Sequence, residues 1–245
     1  MIFPFRKQHH KHERGPVLKV DLHSHLIPGI DDGAKCMDES LELLRGLAEL
    51  GYQKVITTPH IMCDMYGNSS RRVTEGLHAL REAAHSDGIV LEIDAAAEYY
   101  LDEGFMDELE SGEILSICGE YLLFESSCYA RPLQMEEMIF AIGKAGYKPL
   151  LAHPERYRYI IDPRREYERF KELGVFFQIN VNSFGGHYGQ HALEMAEFLS
   201  RNGMIDFLGS DIHHRRQLDT LKDVFETETY HEIFKYNDIC NDALL

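Results

Sequence analysis

Apolar residues in this chain fall into short runs separated by longer stretches of helical spacing. The apolar or β-rich runs lie at 17–22, 54–58, 89–97, 121–126, 148–152, 175–181 and 205–210, and each predicts a strand. The segments between them predict amphipathic helices. Before Gly51, for example, Leu41, Leu44, Leu47 and Ala48 share one helical face. Gly51, Gly146, Gly174 and Gly203 each close such a segment shortly before the next run, as glycine does just past a helix end. Strands alternating with helices indicate a parallel sheet with right-handed crossovers. Seven such units, with no break in composition past residue 16, predict one closed or nearly closed barrel. A doubly wound open sheet is the alternative.

The predicted strands deliver reactive residues at their C-terminal ends. The first ends in Asp21-Leu-His-Ser-His25, followed by Asp31-Asp-Gly33. Side chains at i and i+2 of a strand point to the same side, so His23 and His25 project together. Asp32 lies seven residues past His25 and can return a carboxylate to the same place. Strand two delivers His60, strand three Glu98, strand four Glu125 and strand five His153. The last strand delivers Asp211 and His213, again at i and i+2. Strand six ends in Asn182, which is not a standard ligand. In α/β barrels the C-terminal strand face holds the active site.

Any one of these residues has a bland explanation, as a core histidine bonded to a carbonyl or a carboxylate capping the next helix. The set does not. Carboxylates gathered in one ring repel one another unless cations sit among them. Mixed imidazole and carboxylate donors suit manganese, iron or zinc. No cysteine falls on the ring, which excludes a thiolate zinc site.

Composition narrows the surroundings. The chain has 245 residues, 44% of them hydrophobic, enough for a substantial core. No run of 18 apolar residues is present, so no membrane-spanning helix is expected. The five cysteines are odd in number and lack Cys-x-x-Cys spacing, which favours a reducing compartment. A net charge of −16 is unlike that of a nucleic-acid binder. Residues 1–16 stand apart. Arg6, Lys7, Lys11 and Arg14 against Glu13 make this stretch +3 and leave −19 on the rest. It reads as a flexible basic tail without the apolar core of a signal peptide. Residues 17–245 read as a single domain.

The strand-end motifs resemble the PHP (polymerase and histidinol phosphatase) superfamily of metal-dependent phosphoesterases. They are most similar to its bacterial protein tyrosine phosphatases that act beside capsule and exopolysaccharide kinases. Carrying the resemblance are the two motifs after strand one, Thr58-Pro-His60, Ala97-Glu-Tyr-Tyr100, Leu123-Phe-Glu125, Ala152-His-Pro-Glu-Arg-Tyr157 and Gly209-Ser-Asp-Ile-His213. It covers roughly residues 18 to 240. The resemblance implies a distorted seven-stranded TIM-like barrel holding up to three metal ions, usually manganese, with iron or zinc as alternatives. His23, His25, Glu98 and Asp211 would hold the first ion. Asp32, His60 and His213 would hold the second. Glu98, Glu125 and His153 would hold the third, with Glu98 bridging and Asp32 preferred over Asp31. The implied partner is a phosphotyrosine-bearing protein, in particular a membrane-associated tyrosine kinase of polysaccharide export. The implied location is cytoplasmic, peripheral at the inner membrane through that partner.

The Cys-x5-Arg loop of thiol phosphatases is absent. Water activated by the ions is therefore the expected nucleophile. Arg156, three residues past His153, is the expected phosphate clamp, because a guanidinium matches phosphate oxygens in bidentate fashion. Glu98 and Asp211 are expected beside it in catalysis. Arg71, Arg215 and Arg216 are further candidates for contact with substrate, and residues 61–75 for a lid holding Arg71 and Arg72. His187 and His191, in a glycine-rich loop, read as exposed rather than ligating. Two rival functions stay open: a PHP phosphatase acting on a small ester such as histidinol phosphate, and a non-catalytic regulator with a residual metal ring.

Overall fold

The computed structural model describes residues 18–245. The expected basic tail and Val17 of the first expected strand lie outside the described residues. In chain order the strands are β1 Val20–Asp21, β2 Lys54–Thr57, β3 His60–Ile61, β4 Glu92–Ala95, β5 Glu98–Tyr100, β6 Tyr121–Glu125, β7 Lys148–Ala152, β8 Phe176–Asn180 and β9 Phe207–Gly209. The helices are α1 Met37–Leu50, α2 Ser70–Ser86, α3 Phe105–Ser111, α4 Met135–Lys144, α5 Pro163–Glu172, α6 Gln190–Arg201, α7 Arg215–Phe225 and α8 Glu228–Tyr236.

Among the described residues, these strands pair with one another only in parallel, within two sheets ordered β1-β2-β4 and β3-β5-β6-β7-β8-β9. The fold is thus α/β with parallel sheets. The expected strands 54–58 and 89–97 hold β2 and β4, and each is followed by a further short strand, β3 or β5, that belongs to the other sheet, so the two sheets are not closed into one ring. Register continues across the break. Lys54 pairs with Glu92 and His60 with Glu98, so the two pairs keep the same offset. The interruption falls at Thr58-Pro59, where proline has no N–H to give the ladder. The segments that follow β1 and β9 are joined by a parallel bridge between Ser24 and Ile212.

The strands are buried on both sides, which is why they read as near-continuous apolar runs. Val55, Leu122, Phe124, Leu151 and Leu208 join the large core beneath the helices. Their neighbours Ile56, Leu123, Leu150, Ala152 and Phe207 form a second, smaller cluster with Val20 and Leu22. Helices cover the outer faces with apolar stripes. On α1 the buried stripe is Ser40, Leu43, Leu44 and Leu47. Leu41, expected on that face, is only partly buried against the core. The four helix-ending glycines all take left-handed backbone, Gly51 at φ 104° with its N–H on the Ala48 and Leu47 carbonyls.

Gly33 is required by close packing. A Cβ there would lie 2.3 Å from the His25 carbonyl oxygen, inside the turn closed by Ala34 N–H to His25 O at 3.1 Å. Backbone cannot retreat as a side chain can. Gly33→Ala is expected to destabilise the fold by about 1–3 kcal/mol. Urea unfolding in the presence of chelator reads this without any metal contribution, and an unchanged midpoint would show that the turn yields.

Candidate metal centre

The site is built from the first strand upward. Asp21 is buried and accepts from Ser210 N at 2.9 Å and Ser210 Oγ at 2.6 Å, tying β1 to the end of β9. Burial lifts its carboxyl to about 6, against those two bonds. Beyond Asp21, Asp211 N–H bonds His23 O at 2.8 Å and His25 N–H bonds Ile212 O at 2.9 Å. The first and last strand ends therefore run side by side, and His23, His25, Asp211 and His213 meet.

Each ring of the first pair is aimed by a partner on its far nitrogen. His23 Nδ1 lies 2.6 Å from Gln178 Oε1 and His25 Nδ1 2.9 Å from Asp31 Oδ2. With the Nδ1 proton held there, both Nε2 lone pairs face inward, 3.3 Å apart. Asp31 is thus the orienting carboxylate. It also accepts from Gly33 N at 2.9 Å and His60 N at 3.2 Å. Asp32, whose side chain is 54% exposed, approaches His60 Nε2 and His213 Nε2, each at 3.4 Å.

Glu98 sits at the centre, fully buried. Its Oε2 lies 3.2 Å from His23 Nε2, 3.4 Å from His25 Nε2 and 3.2 Å from His60 Nδ1. Its Oε1 lies 2.9 Å from His153 Nε2. The two oxygens face different imidazoles, the geometry of a bridge. Glu125 approaches His60 Nδ1 at 3.1 Å and His153 Nε2 at 3.7 Å. Inner-facing residues explain the placement. Glu98 continues the alternation from Ala96, Glu125 from Leu123, and Asp211 from Phe207 and Gly209. His153 follows inner-facing Ala152 directly and would face outward in a continued strand. Its backbone instead turns left-handed at φ 35°. Asp211, at φ 50°, is similarly constrained. Such conformations cost about 1–3 kcal/mol each and concentrate at functional sites.

Asp211 divides its oxygens. Oδ1 lies 3.5 Å from both His23 Nε2 and His25 Nε2. Oδ2 accepts from Asn180 Nδ2 at 2.6 Å, Tyr188 Oη at 3.0 Å and Arg156 Nη1 at 3.2 Å. Burial opposes the charged carboxylate, but His23 and the other imidazoles around it outweigh burial and hold it well below the usual range.

A cavity of about 450 Å³ opens over this ring, lined by Asp32, His60, Glu125, His153, Asp211 and His213 together with Arg156. Met62, Met65 and Tyr66 form one wall, with Tyr66 stacked 5.5 Å from His60. His187, Tyr188, His214 and Gln217 form another. His187 lines the cavity wall but joins none of the groups of close donor atoms, and His191 does not line it.

Three arginines expected near substrate are placed away from the cavity. Arg71 is 86% exposed and paired with Glu75 on its own helix. Arg215 pairs with Glu42. Arg216 is exposed on the first turn of α7, and neither it nor the other two lines the cavity. Residues 61–75 are not one loop, since α2 begins at Ser70. Asn182 lies past the end of β8, in a 3-10 turn spanning Val181–Gly185, with its Nδ2 on Ser210 O at 3.4 Å. Residues not singled out in the sequence include Gln178, Asn180, Tyr188 and Gln217. Gln178 and Asn180 share a face of β8 at i and i+2, the same spacing that exposes His23 and His25.

The donor set fits divalent cations. Among the described residues, four overlapping groups keep their ligand atoms within 4.8 Å: His25, Asp32, His60 and His213; His23, Glu98 and His153; His23, His25 and Asp211; His60, Glu98 and Glu125. His60 Nδ1 is buried between two carboxylate oxygens and has no hydrogen-bond partner among the described residues, as an atom awaiting a cation would be. Without cations, protons take that place. Burial opposes charging of His60, yet Glu98 and the other carboxylates outweigh it and lift its pKa to about 10.

The family described as capsular polysaccharide synthesis, CpsB/CapC, matches residues 19–230. The tyrosine-protein phosphatase YwqE of Bacillus subtilis is 28% identical over 196 residues, 80% of this chain and 77% of its own. The tyrosine-protein phosphatase CpsB of Streptococcus pneumoniae is 27% identical over 202 residues, 80% of this chain and 83% of its own. A solved structure from work on these two, described as unique metal-dependent tyrosine phosphatases, superposes with a TM-score of 0.79 at 26% identity, covering 89% of this chain and 90% of its own. The lactonase Lmo2620 of Listeria monocytogenes, at 10% identity and a TM-score of 0.52, shares the fold alone.

Glu98 carries the strongest prediction of this geometry. Glu98→Ala leaves the apolar strands intact but removes the carboxylate that faces imidazoles on both sides. It is expected to retain its circular dichroism and lose at least one bound ion. Glu98→Gln keeps the shape without the charge and is expected to lose metal as well. Elemental analysis of both variants decides, and a wild-type metal content in either would remove the bridge.

Proposed function

The chain belongs to the CpsB/CapC family of capsular polysaccharide synthesis, and we propose that it is a metal-dependent phosphatase of protein phosphotyrosine. The observation that carries this reading is one cavity holding both the imidazole–carboxylate ring and the Arg156 guanidinium. In the proposed assignment His23, His25, Glu98 and Asp211 hold one ion. Asp32, His60 and His213 hold a second, and Glu98, Glu125 and His153 a third. Manganese is the ion we favour over iron or zinc. Bound there, divalent cations neutralise phosphoryl oxygens and lower the pKa of water.

The remaining roles belong to the protein. Arg156 engages Asp211 through Nη1 alone among the described residues. Its other N–H groups are free for phosphate oxygens, which a guanidinium binds in pairs. Asp211 fixes that guanidinium at the cavity wall, while Glu98 sets the spacing of the ring below it. Phosphoryl transfer asks mainly for such positioning and charge neutralisation. Met62, Met65 and Tyr66 offer an apolar wall suited to an aryl ring standing above its phosphate.

The substrate we propose is an autophosphorylated, membrane-associated tyrosine kinase of polysaccharide export. The enzyme would then be cytoplasmic and peripheral to the membrane through that partner. Among the described residues no helix is long and apolar enough to cross a membrane. Residues 17–245 are proposed as the phosphatase domain and 1–16 as a basic appendage. A distorted barrel is the proposed reading of the two sheets, supported by the Ser24–Ile212 bridge.

The test is turnover after chelation and after return of manganese, iron or zinc, with phosphotyrosine peptide, phosphoserine peptide and histidinol phosphate compared. Activity is expected to vanish on chelation, return with metal and favour the phosphotyrosine peptide. Full activity in metal-free protein, or preference for histidinol phosphate, would overturn the reading. Arg156→Ala is expected to lose about 10²-fold in kcat/KM with metal content unchanged. Equal loss of metal in that variant would make Arg156 structural.

A further inference from the structure

Resting on the phosphatase reading, the structure assigns a role to Tyr188, which touches both halves of the site. Its ring lies under Arg156, with the guanidinium carbon 4.5 Å from the ring centroid. Its hydroxyl donates to Asp211 Oδ2 at 3.0 Å, the oxygen that Arg156 Nη1 also reaches at 3.2 Å. The three side chains therefore close a triangle. Gln217 locks its corner: Nε2 donates to Tyr188 Oη at 3.2 Å and to Asp211 O at 2.9 Å. Gln217 Oε1 in turn accepts from His213 N at 2.7 Å.

The triangle addresses a conflict between Arg156 and Asp211. A buried carboxylate beside a flexible arginine favours two parallel hydrogen bonds. That pairing would draw a second guanidinium nitrogen away from the cavity and bring positive charge onto Asp211 Oδ1. Here Oδ2 is already shared with Asn180 and Tyr188, and the aromatic face holds the guanidinium to its plane. We propose that Tyr188 is a positioning residue with two separable parts. Its ring keeps Arg156 turned toward phosphate, and its hydroxyl keeps Asp211 Oδ1 turned toward the imidazoles of His23 and His25.

Two variants separate the parts. Tyr188→Phe retains the ring and removes the hydroxyl. Its manganese dissociation constant is expected to rise about tenfold, while inhibition by inorganic phosphate stays within about twofold of wild type. Tyr188→Leu removes both parts. It is expected to show the same metal weakening, and in addition to need about fivefold more phosphate for inhibition and to raise KM for phosphotyrosine peptide by a similar factor. Metal affinity is read by calorimetry and needs no substrate, so it stands whichever ester the enzyme hydrolyses. Wild-type manganese affinity in Tyr188→Phe overturns the hydroxyl's role. Wild-type phosphate inhibition in folded Tyr188→Leu overturns the ring's role. Weakened phosphate inhibition already present in Tyr188→Phe overturns the separation of the two.

Discussion

The structure turns on one buried carboxylate. Glu98 has no exposure and faces four imidazoles, those of His23, His25, His60 and His153. An isolated ion at such a depth is opposed by several kcal/mol of desolvation. The cost is offset only if positive charge stands among the surrounding donors, as protons or as metal cations. Strand register puts it there. Parallel pairing of His60 with Glu98, and of Glu98 with Leu123, brings the C-terminal ends of neighbouring strands to one level. The apolar alternation below then decides which side chains point inward. Fold and site are linked because the residues that carry charge are the next inner-facing positions after the apolar cluster stops.

Much of this is legible in the sequence because parallel strands deliver their ends to a single face. His60, Glu98, Glu125 and Asp211 follow apolar runs at positions that keep the inner alternation, so short-range pattern locates them. The division into two sheets is less legible. Pro59 interrupts a ladder whose register continues on both sides, and nothing in the spacing says which neighbour each half will join. Arginine is poorly legible as well. Arg71 and Arg215 lie near ligand residues in sequence, but each pairs with a surface carboxylate, Glu75 or Glu42, at positions set by helix packing. Asp31 and Asp32 show the limit at one step of chain. Adjacent and chemically identical, they differ in role because the turn at Gly33 buries the first under His25 and leaves the second at the cavity.

The imidazoles are not held equally. His23 and His25 have Nδ1 fixed by Gln178 and Asp31, and His213 by the Asp211 carbonyl at 2.9 Å. Their Nε2 atoms are aimed before anything binds, which lowers the reorganisation required of the site. His60 and His153 differ. The Nδ1 of each is buried without a hydrogen-bond partner among the described residues. His60 is braced instead by the face of Tyr66, and His153 by its own left-handed backbone. Both line the cavity, whereas His23, His25 and Glu98 lie beneath it. Bonds on Nδ1 therefore aim His23, His25 and His213, whereas His60 and His153 are met by the carboxylates of the ring itself, His153 Nε2 by Glu98 Oε1 at 2.9 Å. That arrangement suits a centre whose floor must keep its spacing while His60 and His153 adjust to a phosphate arriving from the cavity.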